Sequence, residues 1–389
     1  MNLAVLCNLP PPAGGAEVFS RELAASLADL GVEMTLITQE TLEIEDEDET
    51  LVYPFSPQHQ TALYGRGIRI VPRQQDIMAP QDLTQRVNVL ADLLEEFQPD
   101  LLHCHMPTGL LHEACAIQQT RSIPVVSTMH GMMDLVPRYG AYSGPSWSAA
   151  IIRKLMQQLS HNVVVSEPML DYCRSKALSN VTFIPTGLPT DYFAPSTGAA
   201  RSGIVYVGKL NRFKGLRETL SGFLRVANSC DDRLHLVGRG LNIEHFDRGG
   251  FYLTARQQAR VKKLIESGRV VLHGEITPEE LRQLYRNSRV LALPSRTEGM
   301  PLAILEALSC GAAVVASRVG SVPRIIRDGE NGMLCRPGNI TEFAAGLRHI
   351  LRSYGPAMEI RCRDSVVDYD MSKIARRYLA LFEDLLRRK

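Results

Sequence analysis

Short apolar runs alternate with helix-period segments along most of the chain. In the first half, Leu3–Cys7, Val32–Ile37, Ile68–Val71, Leu101–Cys104, Val125–Thr128, Val163–Val165 and Val181–Ile184 are apolar on both faces. Buried parallel strands have that character, because helices cover both sides of their sheet. Between them, Ala16–Asp29, Asp82–Phe97, Trp147–Gln158 and Glu167–Ala177 carry apolar residues at helical spacing. The alternation predicts an α/β domain with a doubly wound parallel sheet. It pauses at the small-residue stretch 191–200, a linker by composition, and then restarts. Ile204–Val207, Leu234–Val237, Val270–Leu272, Val290–Leu293 and Ala313–Ala316 form the second strand set. Helices are expected at about Lys214–Asn228, Pro278–Tyr285, Pro301–Leu308 and Thr341–Leu351.

The expected architecture is therefore two Rossmann-like parallel-sheet domains facing across a cleft, residues 1–192 and 193–370. Residues 371–389 form an amphipathic helix that packs back on the first. Its apolar stripe is Ile374, Tyr378, Leu381 and Leu385. Residues 38–66 fit no regular unit and are expected to be a loop.

A length of 389 residues suits two domains and exceeds one ordinary core. No apolar run is long enough to span a bilayer, and Pro10 to Pro12 interrupt the N-terminal apolar stretch, against a secretory signal. The eight cysteines are scattered, with neither paired nor metal-ligand spacing. They fit free thiols in a cytoplasmic protein, with no zinc site. The net charge of +1 conceals an asymmetry: residues 1–192 hold 11 Lys and Arg against 22 Asp and Glu. The remainder is correspondingly basic, which suggests different ligands for the two halves. The acidic run Glu45–Asp48 reads as solvated loop, so no metal is expected.

The most informative stretch is Pro294-Ser-Arg-Thr-Glu298-Gly-Met-Pro301-Leu302, running on to Glu306. A strand ends, a glycine loop follows, and a helix opens near Pro301, a favoured first helical residue. Amides of Gly299, Met300 and Leu302 at that helix start would suit an anion. Glu298 and Glu306 would accept hydrogen bonds from hydroxyls at two depths of one ligand. Amides for phosphate and carboxylates for hydroxyls together suit a sugar nucleotide. Gly14 and Gly15, after the first strand, allow close backbone approach to a phosphate. Lys209 and Lys214 flank a strand-to-helix loop and would stabilise charge growing on a leaving diphosphate.

These segments resemble the signature of the retaining GT-B glycosyltransferases of family 4. The resemblance takes in Gly14-Gly15-Ala16-Glu17, His103-Cys-His105, Ser127-Thr-Met-His130-Gly131, Gly208-Lys-Leu210, Lys214-Gly215, Gly238-Arg-Gly240, the Glu298/Glu306 pair and Asp328-Gly-Glu-Asn-Gly332. It implies that His130, Glu298, Lys209 and Lys214 serve catalysis. It also implies that Gly15, Gly238, Ile276, Gly299, Met300, Pro301, Leu302 and Glu306 hold the donor, with Glu306 on the ribose. Gly14, His105 and Asp134 would lie on the acceptor side. The chain departs from the family at Lys209, where Arg is usual, and at Arg324, where Glu often follows proline. A Lys is a point charge without Arg's planar fork, and Arg212 in the same loop is a candidate substitute.

The expected function is transfer of a hexosyl or N-acetylhexosaminyl group from a nucleotide-diphosphate sugar, UDP-linked by family frequency, to a small soluble acceptor. No cofactor or nucleic-acid partner is expected. The alternatives are a sugar-nucleotide 2-epimerase, and a transferase acting on a lipid-linked or polysaccharide acceptor. The acidic first half favours a soluble acceptor over an anionic lipid surface.

Overall fold

The computed structural model describes residues 1–7, 9, 14–39, 41–45, 50–54, 61–73, 83–105, 108–131, 149–196, 201–210 and 213–388. Asp134 and Arg212, together with Pro10–Pro12 and most of the acidic run, lie outside the described residues. The chain divides into two compact units, Met1–Leu188 with Met371–Lys389, and Pro189–Asp370. The first crossing thus comes after Leu188 and not at residue 192.

In the first unit, β1 (Asn2–Leu6), β2 (Glu33–Gln39), β5 (Arg69–Arg73), β6 (Leu101–His105), β7 (Val125–Met129), β8 (His161–Val164) and β9 (Val181–Phe183) form one sheet. Its order is β5-β2-β1-β6-β7-β8-β9, with every pair parallel. The order reverses between β1 and β6, the crevice position at which open α/β sheets bind ligands beyond their carboxyl ends. One face is covered by the helices Gly15–Asp29 and Met371–Arg387, which pack on each other. Ile374, Tyr378 and Phe382 of the latter are fully buried, as is Phe19 of the former. The C-terminal helix belongs to this unit and buries its apolar stripe against it.

Of residues 38–66, those described are more regular than their composition suggests. Strand β3 (Thr41–Glu45) pairs antiparallel with β4 (Thr50–Pro54), and a short helix follows at Thr61–Tyr64. Thr41-Leu-Glu-Ile-Glu45 alternates with period two, and in an antiparallel pair one face of each strand is free to be charged. The acidic content therefore masked a strand pattern.

The second unit contains β10 (Ile204–Val207), β11 (Leu234–Val237), β12 (Val270–Gly274), β13 (Val290–Leu293), β14 (Ala313–Ser317) and β15 (Gly332–Cys335). They form a parallel sheet in the order β12-β11-β10-β13-β14-β15, again reversing once, between β10 and β13. Four of its helices are distinguished by their N-termini. Thr254 and Thr277 build reciprocal capping boxes with Gln257 and Glu280, and Asn339 caps Ile340–Ser353. The fourth, Leu302–Ser309, has no side-chain cap. Buried Arg201 ties the start of the unit to its middle, donating to the carbonyls of Tyr285, Ser288 and Cys310 and pairing with Glu359 at 3.0 Å.

All eight cysteines are free thiols, and burial pushes those of Cys7, Cys115 and Cys310 up to about 12. Among the described residues no helix is long and apolar enough to cross a membrane.

Candidate active site

In the second unit, the polar groups singled out above gather at the carboxyl ends of the strands around the reversal point. The loop after β10 brings Lys214, and the loop after β13 brings Glu298. Lys214 Nζ donates to both carboxylate oxygens of Glu298, at 2.9 Å each. The Glu298 side chain is 7% exposed and that of Lys214 33%. The two loops are tied by backbone as well: the amide of Arg296 donates to the Phe213 carbonyl at 2.7 Å. Arg296 in turn donates to the buried carboxylate of Glu218 at 2.6 Å. On the other side, the Ser321 amide donates to the Gly299 carbonyl at 2.9 Å.

Glycine makes this crowding possible. Gly238 has φ of +138°, and a Cβ there would lie 2.1 Å from the Gly208 carbonyl oxygen. Gly320, at φ +52°, would place a Cβ 2.2 Å from the Glu298 carbonyl oxygen. Loops from β10, β11, β13 and β14 thus meet with no room for side chains between them. Tyr206, in β10, brings a fully buried hydroxyl beneath Gly208, with no hydrogen-bond partner among the described residues.

Pro301 is not the first helical residue. It is the extended residue before the helix, φ −73° and ψ 117°, and the helix runs Leu302–Ser309. No side chain caps the first turn, and the Ile304 amide donates to the Pro301 carbonyl at 3.1 Å. Gly299, Met300 and Pro301 are buried, whereas Leu302 is half-buried. Glu306 lies one turn further in. The hydroxyl of fully buried Tyr285 donates to its Oε2 at 3.0 Å, and burial raises its carboxyl to about 7. Lys209 is exposed, Gly238 is half-buried, and Ile276 precedes the capping residue Thr277. A recess of about 430 Å3 lined by Ile243, Ile265, Val271 and His273 lies along β12 and includes none of these charged groups.

In the first unit the expected residues again stand at carboxyl ends. Gly14 is the extended residue opening the helix Gly15–Asp29, His105 closes β6, and His130 follows β7. His105 Nδ1 lies 3.2 Å from His130 Nε2, with the rings edge to edge at 23° to each other. Burial lowers His130 to about 4, and burial with repulsion from His103 and His130 lowers His105 further below its ordinary 6.5. Both are neutral at pH 7. His105 is 4% exposed, which leaves it little surface for an acceptor.

The pairing of Lys214 with Glu298, the support of Glu306 by Tyr285 and the His105–His130 contact are not legible in the sequence. Tyr285 is 21 positions from Glu306, and Lys214 is 84 from Glu298, so only the fold unites them. Among the described residues no cluster of three or more His, Cys, Asp or Glu is placed to hold a metal ion.

Comparison with known proteins decides the family. Residues 13–192 match the family described as Glycosyltransferase Family 4, and residues 201–353 match Glycosyl transferases group 1. The chain belongs to these glycosyltransferases. This glycosyltransferase is 25% identical over its whole length to N-acetyl-alpha-D-glucosaminyl L-malate synthase of Bacillus anthracis, covering 98% of that protein. Sucrose-phosphate synthase from Thermosynechococcus elongatus superposes with a TM-score of 0.76 at 20% identity, with all of both chains covered. Anabaena HepE in complex with UDP-glucose gives 0.75 at 18% identity, over 99% of this chain and 100% of that one. The fold of the glycosyltransferase is the GT-B fold, and its two parallel sheets are the ones the strand pattern anticipates.

Proposed function

We propose that the protein is a retaining glycosyltransferase moving a hexosyl or N-acetylhexosaminyl group from a UDP-linked sugar to a small soluble acceptor. The observation that carries this reading is the Lys214–Glu298 pair, cation and carboxylate in contact at 2.9 Å, at the reversal point of the second sheet. A sugar diphosphate needs both kinds of group close together: a cation at phosphate and a carboxylate at sugar hydroxyls. Lys214, Lys209 and the first amides of Leu302–Ser309 would receive the diphosphate. Glu298 would accept from the sugar, and Glu306, held by Tyr285, from the ribose. His130, neutral at pH 7, would serve as a sugar contact.

In this scheme the anomeric carbon–oxygen bond to the diphosphate breaks as the acceptor oxygen attacks from the same face. The acceptor's proton passes to the departing phosphate oxygen, so no protein nucleophile is needed. Lys214 and Lys209 stabilise the growing negative charge. No metal ion has a part, and EDTA is expected to leave turnover unchanged.

The UDP preference draws support from the complex of HepE with UDP-glucose, and the small acceptor from the malate synthase. The acidic first half adds a preference for a neutral or cationic acceptor such as an aminocyclitol. The test is a thermal-shift screen with UDP, GDP and ADP sugars, followed by product mass on aminocyclitols, L-malate and inositol phosphates. Stabilisation by UDP sugars and a glycoside product of unchanged anomeric configuration are expected. An epimer formed from donor alone would overturn the reading in favour of a 2-epimerase. Stimulation by anionic vesicles would overturn the choice of a soluble acceptor.

A further inference from the structure

His105 is packed on every side within the first unit. Its ring lies 4.2 Å from that of His103, centroid to centroid, and 5.4 Å from that of His130, at 23° to it. Phe19 from the helix Gly15–Asp29 meets both His105 and His130 edge-on, at 6.0 and 5.5 Å. His103 is itself fixed: its Nε2 lies 2.9 Å from Thr128 Oγ1, which lies 3.2 Å from the Tyr378 hydroxyl. A chain of contacts therefore runs from the C-terminal helix through His103 and His105 to His130.

A neutral imidazole has one N–H and one bare nitrogen, and the bond made by one nitrogen determines the state of the other. The contact between His105 Nδ1 and His130 Nε2 requires a donor on one side and an acceptor on the other. If His105 donates, His130 carries its proton on Nδ1; if His130 donates, its Nδ1 is bare. Either way, Nδ1 is the nitrogen of His130 left for a ligand, and His105 decides its state.

We propose that His105 is a positioning residue: through its Nδ1 it orients His130 and holds it in a single tautomer, so that one defined face of Nδ1 meets the donor sugar. This rests on the reading of His130 as a sugar contact. The role is distinct from acceptor binding, for which His105 has almost no exposed surface.

The experiment uses the full-length protein as wild type, His105→Leu and His105→Asn, with His130→Gln to assign signals. Long-range proton–nitrogen spectra read the tautomer of His130 directly. Wild type should show one protonated and one bare nitrogen, whereas His105→Leu should show averaging of the two forms. His105→Asn should restore a single form, because its amide stands where Nδ1 stood. In kinetics, His105→Leu should lower kcat about 10-fold or more with the donor KM within about 2-fold, as loss of a group that orients another does. His105→Asn should recover most of that loss. Tautomer averaging in wild type, or unaltered His130 signals and kcat in His105→Leu, overturns the proposal. So does His105→Asn behaving no better than Leu. Should His105→Leu fail to fold, the wild-type and Asn spectra still decide. If no sugar nucleotide is turned over, the proposed function fails while the spectra report on His105 independently.

Discussion

At the scale of single residues, Lys214 and Glu298 make stability and activity separable. Lys214→Met leaves an almost buried carboxylate without its cation, which is expected to cost about 1–2 kcal/mol, less than for a fully buried pair because Lys214 is partly exposed. Adding Glu298→Gln removes the stranded charge and should restore much of that stability without restoring turnover. Urea melts and kcat on the two variants read the split. The titrating groups predict opposite pH trends. Burial lowers His103 to about 3 and His130 to about 4, so the unfolded chain takes up protons first as pH falls below 6.5. Stability present above 6.5 is lost progressively as pH falls through 4. Glu306 is raised from 4.5 to about 7, so the fold keeps a proton the unfolded chain releases. Its share is present below about 4.5 and lost as pH rises to 7. The Tm of Glu306→Gln minus that of wild type should therefore increase across that interval, and a flat difference would contradict the assignment. Glu306 was legible in the sequence as a ligand candidate. Its proton affinity was not, because that depends on burial and on Tyr285.

At the scale of elements, the loops around the reversal of the second sheet depend on glycine for space. Gly238→Ala must both adopt φ +138° and relieve a Cβ 2.1 Å from the Gly208 carbonyl oxygen. A cost of about 3 kcal/mol or more is expected, from strain and overpacking together. By contrast, Thr277→Ala loses a capping box and should cost about 1 kcal/mol. Chemical denaturation of the two variants checks the ranking. The apolar strand runs were readable because burial on both faces leaves little freedom in composition. Ile204–Val207 and Val290–Leu293 were legible to the residue. Gly332–Cys335 was not, since a short strand containing glycine carries no periodic signal. Ala255–Glu266 buries only Val261; Val261, Leu264 and Ile265 give it a narrow apolar stripe, and Thr254 and Gln257 form a capping box at its start.

For the whole molecule, the path of the chain has a mechanical consequence. The first unit is completed only by Met371–Arg387, which is made after the entire second unit. Truncation after Asp370 would uncover the surface against Phe19 and remove the buried side chains Ile374, Tyr378 and Phe382. Each such loss costs about 3 kcal/mol or more in a packed core. Limited proteolysis of the truncated protein should digest the first unit while sparing a fragment close to Pro189–Asp370. Equal survival of both would contradict this account.

By itself the sequence determined the class of fold and the candidate chemistry. Runs apolar on both faces imply parallel sheets, while glycine loops, lysines and paired glutamates at strand ends point to a sugar nucleotide. The tertiary structure alone decided which of those groups touch. Lys214 grips Glu298 because β10 and β13, far apart in the chain, are neighbours in the sheet; Tyr285 holds Glu306 across two packed helices, and His105 meets His130 at the ends of the paired strands β6 and β7. Hydrophobic periodicity is a local property that a chain displays residue by residue. Contact between residues far apart in the chain is fixed only when the elements pack, and so are the protonation states that follow from it.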